Sequence, residues 1–229
     1  MGSIADNVKR LKERIAVAAE RAGRPGDDIV LVAVSKTRTA QEVEEAVRSG
    51  ISVVGENRVQ EAWAKAPQVR VPVRWHMVGH LQTNKVRRAL ELFELIHSVD
   101  SLRLAEAISR HATNAKRQVD VLIQVNTSGE PSKFGASPEA ALDLVAAISK
   151  LPGIEIKGLM TIGAFLPNPV DVRPCFKQLR DLGEQVKAAA MANVEMKYLS
   201  MGMTGDFEVA IEEGSNMVRV GTAIFGIRA

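Results

Sequence analysis

Lys36 closes the stretch VLVAVSK (30–36), where an apolar, β-branched run meets a primary amine. A lysine there can form a Schiff base with a carbonyl once its ammonium gives up a proton, and an apolar strand end favours that loss by desolvation. An ammonium that simply reaches water would also explain the residue. Two glycine-bearing segments near the C-terminus add a second kind of chemistry. SMGMTGD (200–206) carries the hydroxyls of Ser200 and Thr204, and RVGTAIFG (219–226) sets Gly221 and Thr222 where a last helix begins. Both offer N–H groups and hydroxyls to an anion such as phosphate, although glycine serves as readily in turns and caps. Arg219 stands inside the apolar stretch MVRVG and requires a partner, either a structural carboxylate or a ligand acceptor, because an unpaired buried guanidinium is costly.

Other polar residues fall near the same places. Asn57, His80, Gln82 and Asn84 can line a mouth or act as caps and turn formers. His76 and His80 lie four apart, on one face of an expected strand and too far apart to share a metal. No third ligand has zinc spacing, so no metal centre is expected. Met77, Met160, Met201 and Met203 read as packing, with those at strand tips able to wall a flat ring. Lys133, in SGEPSKFG, reads as a solvated loop lysine.

These side chains need a frame. Ile4, Val8, Leu11, Ile15, Ala18 and Ala22 recur at helical spacing and are followed by Gly23 and Pro25, so an amphipathic helix opens the chain. Strands are expected near 29–36, 51–57, 73–80, 95–101, 119–126, 154–163, 197–203 and 216–221. The first four begin at even intervals, each leaving room for one strand and one helix. Helix punctuation falls between them: Thr39 with Glu42 as a capping box, Gly50 as a stop, Ser137 and Pro138 as cap and first residue, and DFEVAIEEG as a short helix.

Eight βα units predict an α/β fold: one closed parallel (β/α)8 barrel domain, the TIM barrel, over residues 29–229, with an extra N-terminal helix over 1–24. An open doubly wound sheet fits less well, since no G-x-G-x-x-G turn follows the first strand. In a parallel barrel functional residues gather at the C-terminal ends of strands, where Lys36, Asn57, His80, Ser200 and Arg219 are expected.

Composition narrows the function. Thirty basic and twenty-seven acidic side chains give a net charge of +3, with the signs interleaved rather than forming a basic stripe. With only two Trp and one Tyr for base stacking, this argues against nucleic-acid binding. Cys175 is the sole cysteine and can form no internal disulfide, which fits a reducing, cytoplasmic location. No signal-peptide block opens the chain and no apolar run is long enough to span a bilayer, so no membrane association is expected.

AVSKT, VGENRVQEA, WHMVGHLQTNK, VNTSGEPSKFG, GLMTI and LSMGMTGDFEVAIEEGSNMVRVGTAIFG together resemble the pyridoxal phosphate homeostasis proteins, single-domain barrel relatives of the alanine racemase N-terminal domain. The resemblance runs from about residue 29 to the end. It implies that Lys36 carries pyridoxal 5′-phosphate as an internal aldimine. It also implies that Ser200, Met201, Gly202, Gly221 and Thr222 surround the phosphate, and that Asn57 and His80 lie around the ring. RVGTAIFG is similar to the racemase segment whose arginine bonds the pyridine nitrogen, so Arg219 is assigned to that nitrogen, with phosphate contact as the alternative.

The implied role is vitamin B6 homeostasis: holding the reactive aldehyde, or handing it to apoenzymes, without catalytic turnover. The departure from the racemase supports this, since racemisation needs a base on each face. The racemase takes its opposite-face tyrosine from a second domain, whereas Tyr198, the sole tyrosine here, falls within an expected strand. A weak amino-acid racemase using Lys36 as its one base is the alternative. A barrel for some other phosphorylated metabolite is a third reading. The resemblance further suggests a monomer, and Lys133 is a candidate transient acceptor during cofactor release.

Overall fold

The computed structural model describes residues 2–227. Eight parallel strands close a barrel in sequence order: β1 (Val30–Val34), β2 (Val53–Glu56), β3 (Arg74–Met77), β4 (Leu95–Val99), β5 (Val119–Gln124), β6 (Ile154–Met160), β7 (Val194–Ser200) and β8 (Met217–Val220). Helix α1 (Ile4–Arg21) precedes them, and α2 (Ala40–Arg48), α3 (Val59–Lys65), α4 (Val86–Leu92), α5 (Leu102–Asn114), α6 (Pro138–Ile148), α7 (Arg173–Ala188), α8 (Phe207–Glu212) and α9 (Thr222–Phe225) follow the strands in turn. The expected α/β barrel is the observed fold, down to the Thr39–Glu42 capping box and the Ser137 cap with Pro138 in the first turn.

Strand residues alternate between two cores. Val32, Val53, Val78, Leu95, Leu122 and Met217 fill the barrel, while Ala33, Val54, Ile96, Val121 and Val218 pack outward into the helix layer. Helix α1 occupies the ring beside α2, α8 and α9. There Asn7 Nδ2 donates to the Ile224 carbonyl at 2.9 Å, and Arg14 pairs with Glu208 at 2.9 Å. The short α8 and α9 leave a gap in the helix layer that α1 covers.

The strands are shorter than their apolar runs. β1 stops at Val34 because residues 35–38 form a turn, closed by the Arg38 N–H on the Ser35 carbonyl at 2.9 Å, with Thr37 at φ +64°. β3 stops at Met77, so His76 and His80 do not share a strand face: His76 points into the barrel and His80 sits in the loop beyond. β7 begins and ends three residues earlier than its apolar pattern suggests. Its first half, Val194–Lys197, alternates with charged residues that obscure a strand in the sequence.

Gly158 marks an irregularity in the ladder. The register shifts on both sides of β6, and Gly158 adopts φ +144° with its backbone pressed against β7. A Cβ there would lie 1.9 Å from the Tyr198 carbonyl oxygen. Gly158→Ala is therefore expected to cost about 3 kcal/mol, combining a disallowed backbone with a backbone clash. Urea unfolding would register this as a lower midpoint at unchanged slope.

Pairing between β7 and β8 is sparse, with Ser200 and Met217 the one registered pair. Two backbone bonds, from the Met201 N–H to the Met217 carbonyl at 3.1 Å and from the Arg219 N–H to the Gly202 carbonyl at 3.0 Å, continue the seam, and side chains reinforce it. Asn216 Oδ1 accepts from the Leu199 N–H at 2.8 Å and its Nδ2 donates to the Lys197 carbonyl at 2.7 Å, while the Ser215 hydroxyl lies within 3.1 Å of the carbonyls of Leu199, Met201 and Met217.

Candidate functional site

The C-terminal strand ends surround a cleft of about 600 Å³. Lys36 enters it from the turn after β1, half-buried. Asn57 follows the tip of β2. Arg219 reaches it from β8, and Gly221 and Thr222 from the start of α9; Met203, Thr204, Gly205 and Asp206 supply the loop after β7. Apolar walls come from Val34, Val78, Ile162, Phe134 and Phe165, and Lys133 lines the far side. An amine, a guanidinium, hydroxyls and two glycine-bearing turns thus meet around a largely apolar space.

The remaining sequence candidates lie around the cleft rather than in its lining. His80 is exposed; its ring stacks on Phe134, centroids 4.0 Å apart, and its Nδ1 lies 3.6 Å from Asp100. Ser200 and Met201 are wholly buried beneath the loop. Gly202 turns that loop at φ +93°, where a Cβ would meet Ala210 at 2.6 Å. Lys133 is less solvated than its loop suggested: Nζ donates to Glu130 at 2.6 Å and to the Gly163 carbonyl at 2.9 Å.

In place of a structural carboxylate, protein oxygens hold Arg219. Nη1 donates to the Ser200 carbonyl at 2.7 Å and the Ser200 hydroxyl at 2.6 Å, and Nη2 to the Thr161 carbonyl at 2.7 Å. Burial lowers it to about 10, against the pull of the Asp206 carboxylate, whose own acidity burial weakens. Backbone oxygens fix the guanidinium while it still borders the cleft.

Behind Arg219 a polar chain crosses the barrel interior. The Ser200 hydroxyl meets His97 Nδ1 at 3.0 Å, and His97 Nε2 meets His76 Nδ1 at 3.0 Å. Arginine only donates, so the Ser200 hydroxyl accepts from Arg219, and the tautomers of the two rings set the donor and acceptor roles along the rest of the chain. Both imidazoles are neutral: burial lowers His76 to about 3, helped by Arg74, and holds His97 well below its ordinary value, helped by His76 and Arg219. Sequence reading missed His97; its only signal was a polar pair, His97 and Ser98, within the apolar strand LIHSV.

A second buried group sits beside Lys36. Glu56, fully buried, accepts the Ser35 hydroxyl at 2.5 Å and the Lys65 ammonium at 2.6 Å. Burial pushes the Glu56 carboxyl up, and Lys65 and Ser35 oppose it. Lys65 was also missed. Its signal was the four-residue spacing from Glu61, which puts both on one helix face.

Among the described residues no cluster of potential metal ligands occurs, and no helix is long and apolar enough to cross a membrane. The set present fits pyridoxal phosphate: an amine for an aldehyde, apolar walls for a flat ring, and hydroxyls with backbone N–H groups for a phosphate. Gly221 belongs to this fit, since a Cβ there would lie 3.1 Å from the Val34 carbonyl oxygen, where β8 leaves the barrel beside β1.

Comparison with known proteins agrees. The model of the alanine racemase N-terminal domain matches residues 7–229. The pyridoxal phosphate homeostasis protein of Aquifex aeolicus is 43% identical over 224 residues, 97% of each chain. A Bifidobacterium adolescentis protein of unknown function superposes with a TM-score of 0.93 at 42% identity, covering 97% of this chain and 94% of that one. PipY of Synechococcus elongatus PCC7942, solved with PLP bound, gives 0.85 at 34% identity over 98% and 100% of the two chains. The chain therefore belongs to the alanine racemase N-terminal domain family, among the pyridoxal phosphate homeostasis proteins.

Proposed function

We propose that this protein binds pyridoxal 5′-phosphate through a Schiff base on Lys36 and serves its homeostasis, sequestering the cofactor or delivering it to apoenzymes, without catalytic turnover. The observation that carries the reading is the convergence of Lys36, Arg219, Gly221 and Thr222 on one cleft. The names of the relatives and the PLP-bound state of PipY support it. When bound, the cofactor supplies an aldehyde that exchanges reversibly between amines and a pyridine ring that draws electrons.

The chain's own residues then divide the work. Lys36 is the covalent anchor. Gly221 and Thr222, with the Thr204 hydroxyl and the Thr204 and Gly205 N–H groups, hold the phosphate, since the first N–H groups of a helical turn have no partner within it. Ser200, Met201 and Gly202 act from beneath by shaping that loop, and Asn57 and His80 border the ring, His80 through Phe134. Arg219 faces the pyridine nitrogen, with the phosphate as its alternative partner. A donor-only guanidinium leaves that nitrogen unprotonated and the ring a poorer electron sink. This restrains carbanion chemistry, as the matching arginine does in the racemase segment, so the carrier reading rests on the lack of an opposite-face base rather than on Arg219.

The reading includes a cytoplasmic monomer, in keeping with the lone Cys175. It also allows Lys133, across the cleft, to accept the cofactor during release; an unchanged release rate in Lys133→Ala would remove that role.

The decisive experiment adds pyridoxal phosphate to the pure protein, reduces with borohydride and maps the peptides by mass. A phosphopyridoxyl group on Lys36 is expected. An adduct scattered over surface lysines, or none, would overturn the binding mode. Sustained turnover in a chiral amino-acid assay, lost in Lys36→Ala, would replace the carrier with the enzyme.

A further inference from the structure

The turn that presents Lys36 is held by a side chain from the next βα unit. Lys65, at the end of α3, is buried, and its three ammonium protons meet three acceptors. These are the Ser35 carbonyl at 2.7 Å, Glu56 Oε1 at 2.6 Å and Glu61 Oε1 at 3.2 Å. Glu61 Oε1 also accepts the backbone N–H of Thr37, and Glu56 Oε1 the Ser35 hydroxyl. The Ser35 carbonyl belongs to the peptide preceding Lys36, and the Thr37 N–H to the peptide following it. One buried cation thus fixes both peptide planes flanking the Lys36 Cα, directly on one side and through Glu61 on the other.

Two further features separate this from an ordinary buried ion pair. Thr37 holds φ +64°, a conformation that a β-branched residue keeps only where its surroundings impose it. Glu56 Oε2 is buried without a hydrogen-bond partner, so the pair is not arranged to satisfy all its own atoms. Its bonds serve the turn, and the same Glu56 anchors the strand tip from which Asn57 enters the cleft.

We propose that Lys65, acting through Ser35, Glu56 and Glu61, is the positioning residue for the Lys36 amine. The proposal deepens the assignment of Lys36 as the covalent anchor and rests on that reading for its consequence in cofactor binding. Without the Lys65 cation the turn loses its pin on both sides, and the amine samples directions outside the cleft.

The test has two readouts. The first needs no cofactor: the pH profile of acetylation by acetic anhydride, followed at Lys36 and at the N-terminal helix lysines by peptide mapping. In Lys65→Met the Lys36 profile is expected to shift toward that of the helix lysines, which themselves stay unchanged. The second is the rate of pyridoxal phosphate attachment to Lys36, expected to fall at least tenfold. Glu61→Ala, at a partly exposed position, removes the Thr37 anchor and one of the three Lys65 acceptors while leaving the Lys65 bond to the Ser35 carbonyl, and is expected to move both readouts in the same direction by a smaller factor. It carries the test alone if Lys65→Met does not fold. A folded variant with both readouts within twofold of the parent overturns the proposal. If the parent never attaches pyridoxal phosphate but the acetylation profile still depends on Lys65, the cofactor assignment fails and the positioning role stands.

Discussion

Lys36→Ala is expected to yield a folded protein that no longer attaches pyridoxal phosphate. Its absorption spectrum with the cofactor should remain that of the free aldehyde, and borohydride should fix no mass on the chain. Lys36 sits in the turn beyond β1, outside both hydrophobic cores, so truncation leaves barrel packing intact. What remains is the proposed anion site, where Gly221, Thr222 and the 203–206 loop line the cleft. Losing the covalent bond while keeping that site should weaken retention at least about 100-fold, equivalent to about 2.7 kcal/mol. Lys36→Arg sharpens the experiment. Arginine keeps the positive charge but cannot deprotonate to act as a nucleophile. If the arginine variant holds the cofactor as tightly as the parent, charge alone accounts for binding and the Schiff base is wrong.

Acid should unfold the protein well before its surface carboxylates titrate. His76 and His97 are neutral in the barrel and would take protons in the unfolded chain near pH 6.5. Below that value the unfolded state binds more protons than the native one, so stability falls as pH falls; above it this contribution is constant. Each imidazole contributes about 1.4 kcal/mol per pH unit once the unfolded histidine is mostly charged. Between pH 6.5 and 4.5 His76 alone removes about 2 kcal/mol, a sizeable share of the stability of many domains, and His97 acts in the same direction. Glu56, Asp120 and Asp206 act in the opposite sense, because burial raises their pKa values and lets the native state take protons too. Urea unfolding at several pH values checks this. His76→Gln should lower the slope between pH 5.5 and 4.5 by about 1.4 kcal/mol per unit, and an unchanged slope would mean that His76 is not neutral in the fold.

The barrel was legible in the sequence because its signals are local. β-Branched runs, capping pairs such as Thr39 with Glu42, and even spacing follow from backbone physics within a few residues. Strand ends were less legible, since the turn at 35–38 and the early end of β7 depend on neighbouring elements. Lys36, Asn57, Arg219, Gly221 and Thr222 could be picked out because each stands at a strand exit. Lys65 and His97 could not, because their significance lies in what they touch. Lys65 bonds a carbonyl thirty residues back, and His97 a hydroxyl 103 residues on. Ser200 illustrates the same limit. Its place at a strand tip beside glycine suggests phosphate, yet its hydroxyl is engaged by Arg219 and His97 inside the barrel.

The seam between β7 and β8 carries a kinetic consequence. Amide hydrogens in β5 and β6, paired over six registered positions, should exchange with solvent only when the whole barrel unfolds. Those at the seam, including the Leu199 N–H on Asn216, should exchange through a smaller opening that breaks two backbone bonds and a few side-chain bonds. The loops that follow these two strands border the cleft. β8 is paired with β1 over four registered positions, so an opening at the seam leaves β8 on the Lys36 side of the cleft.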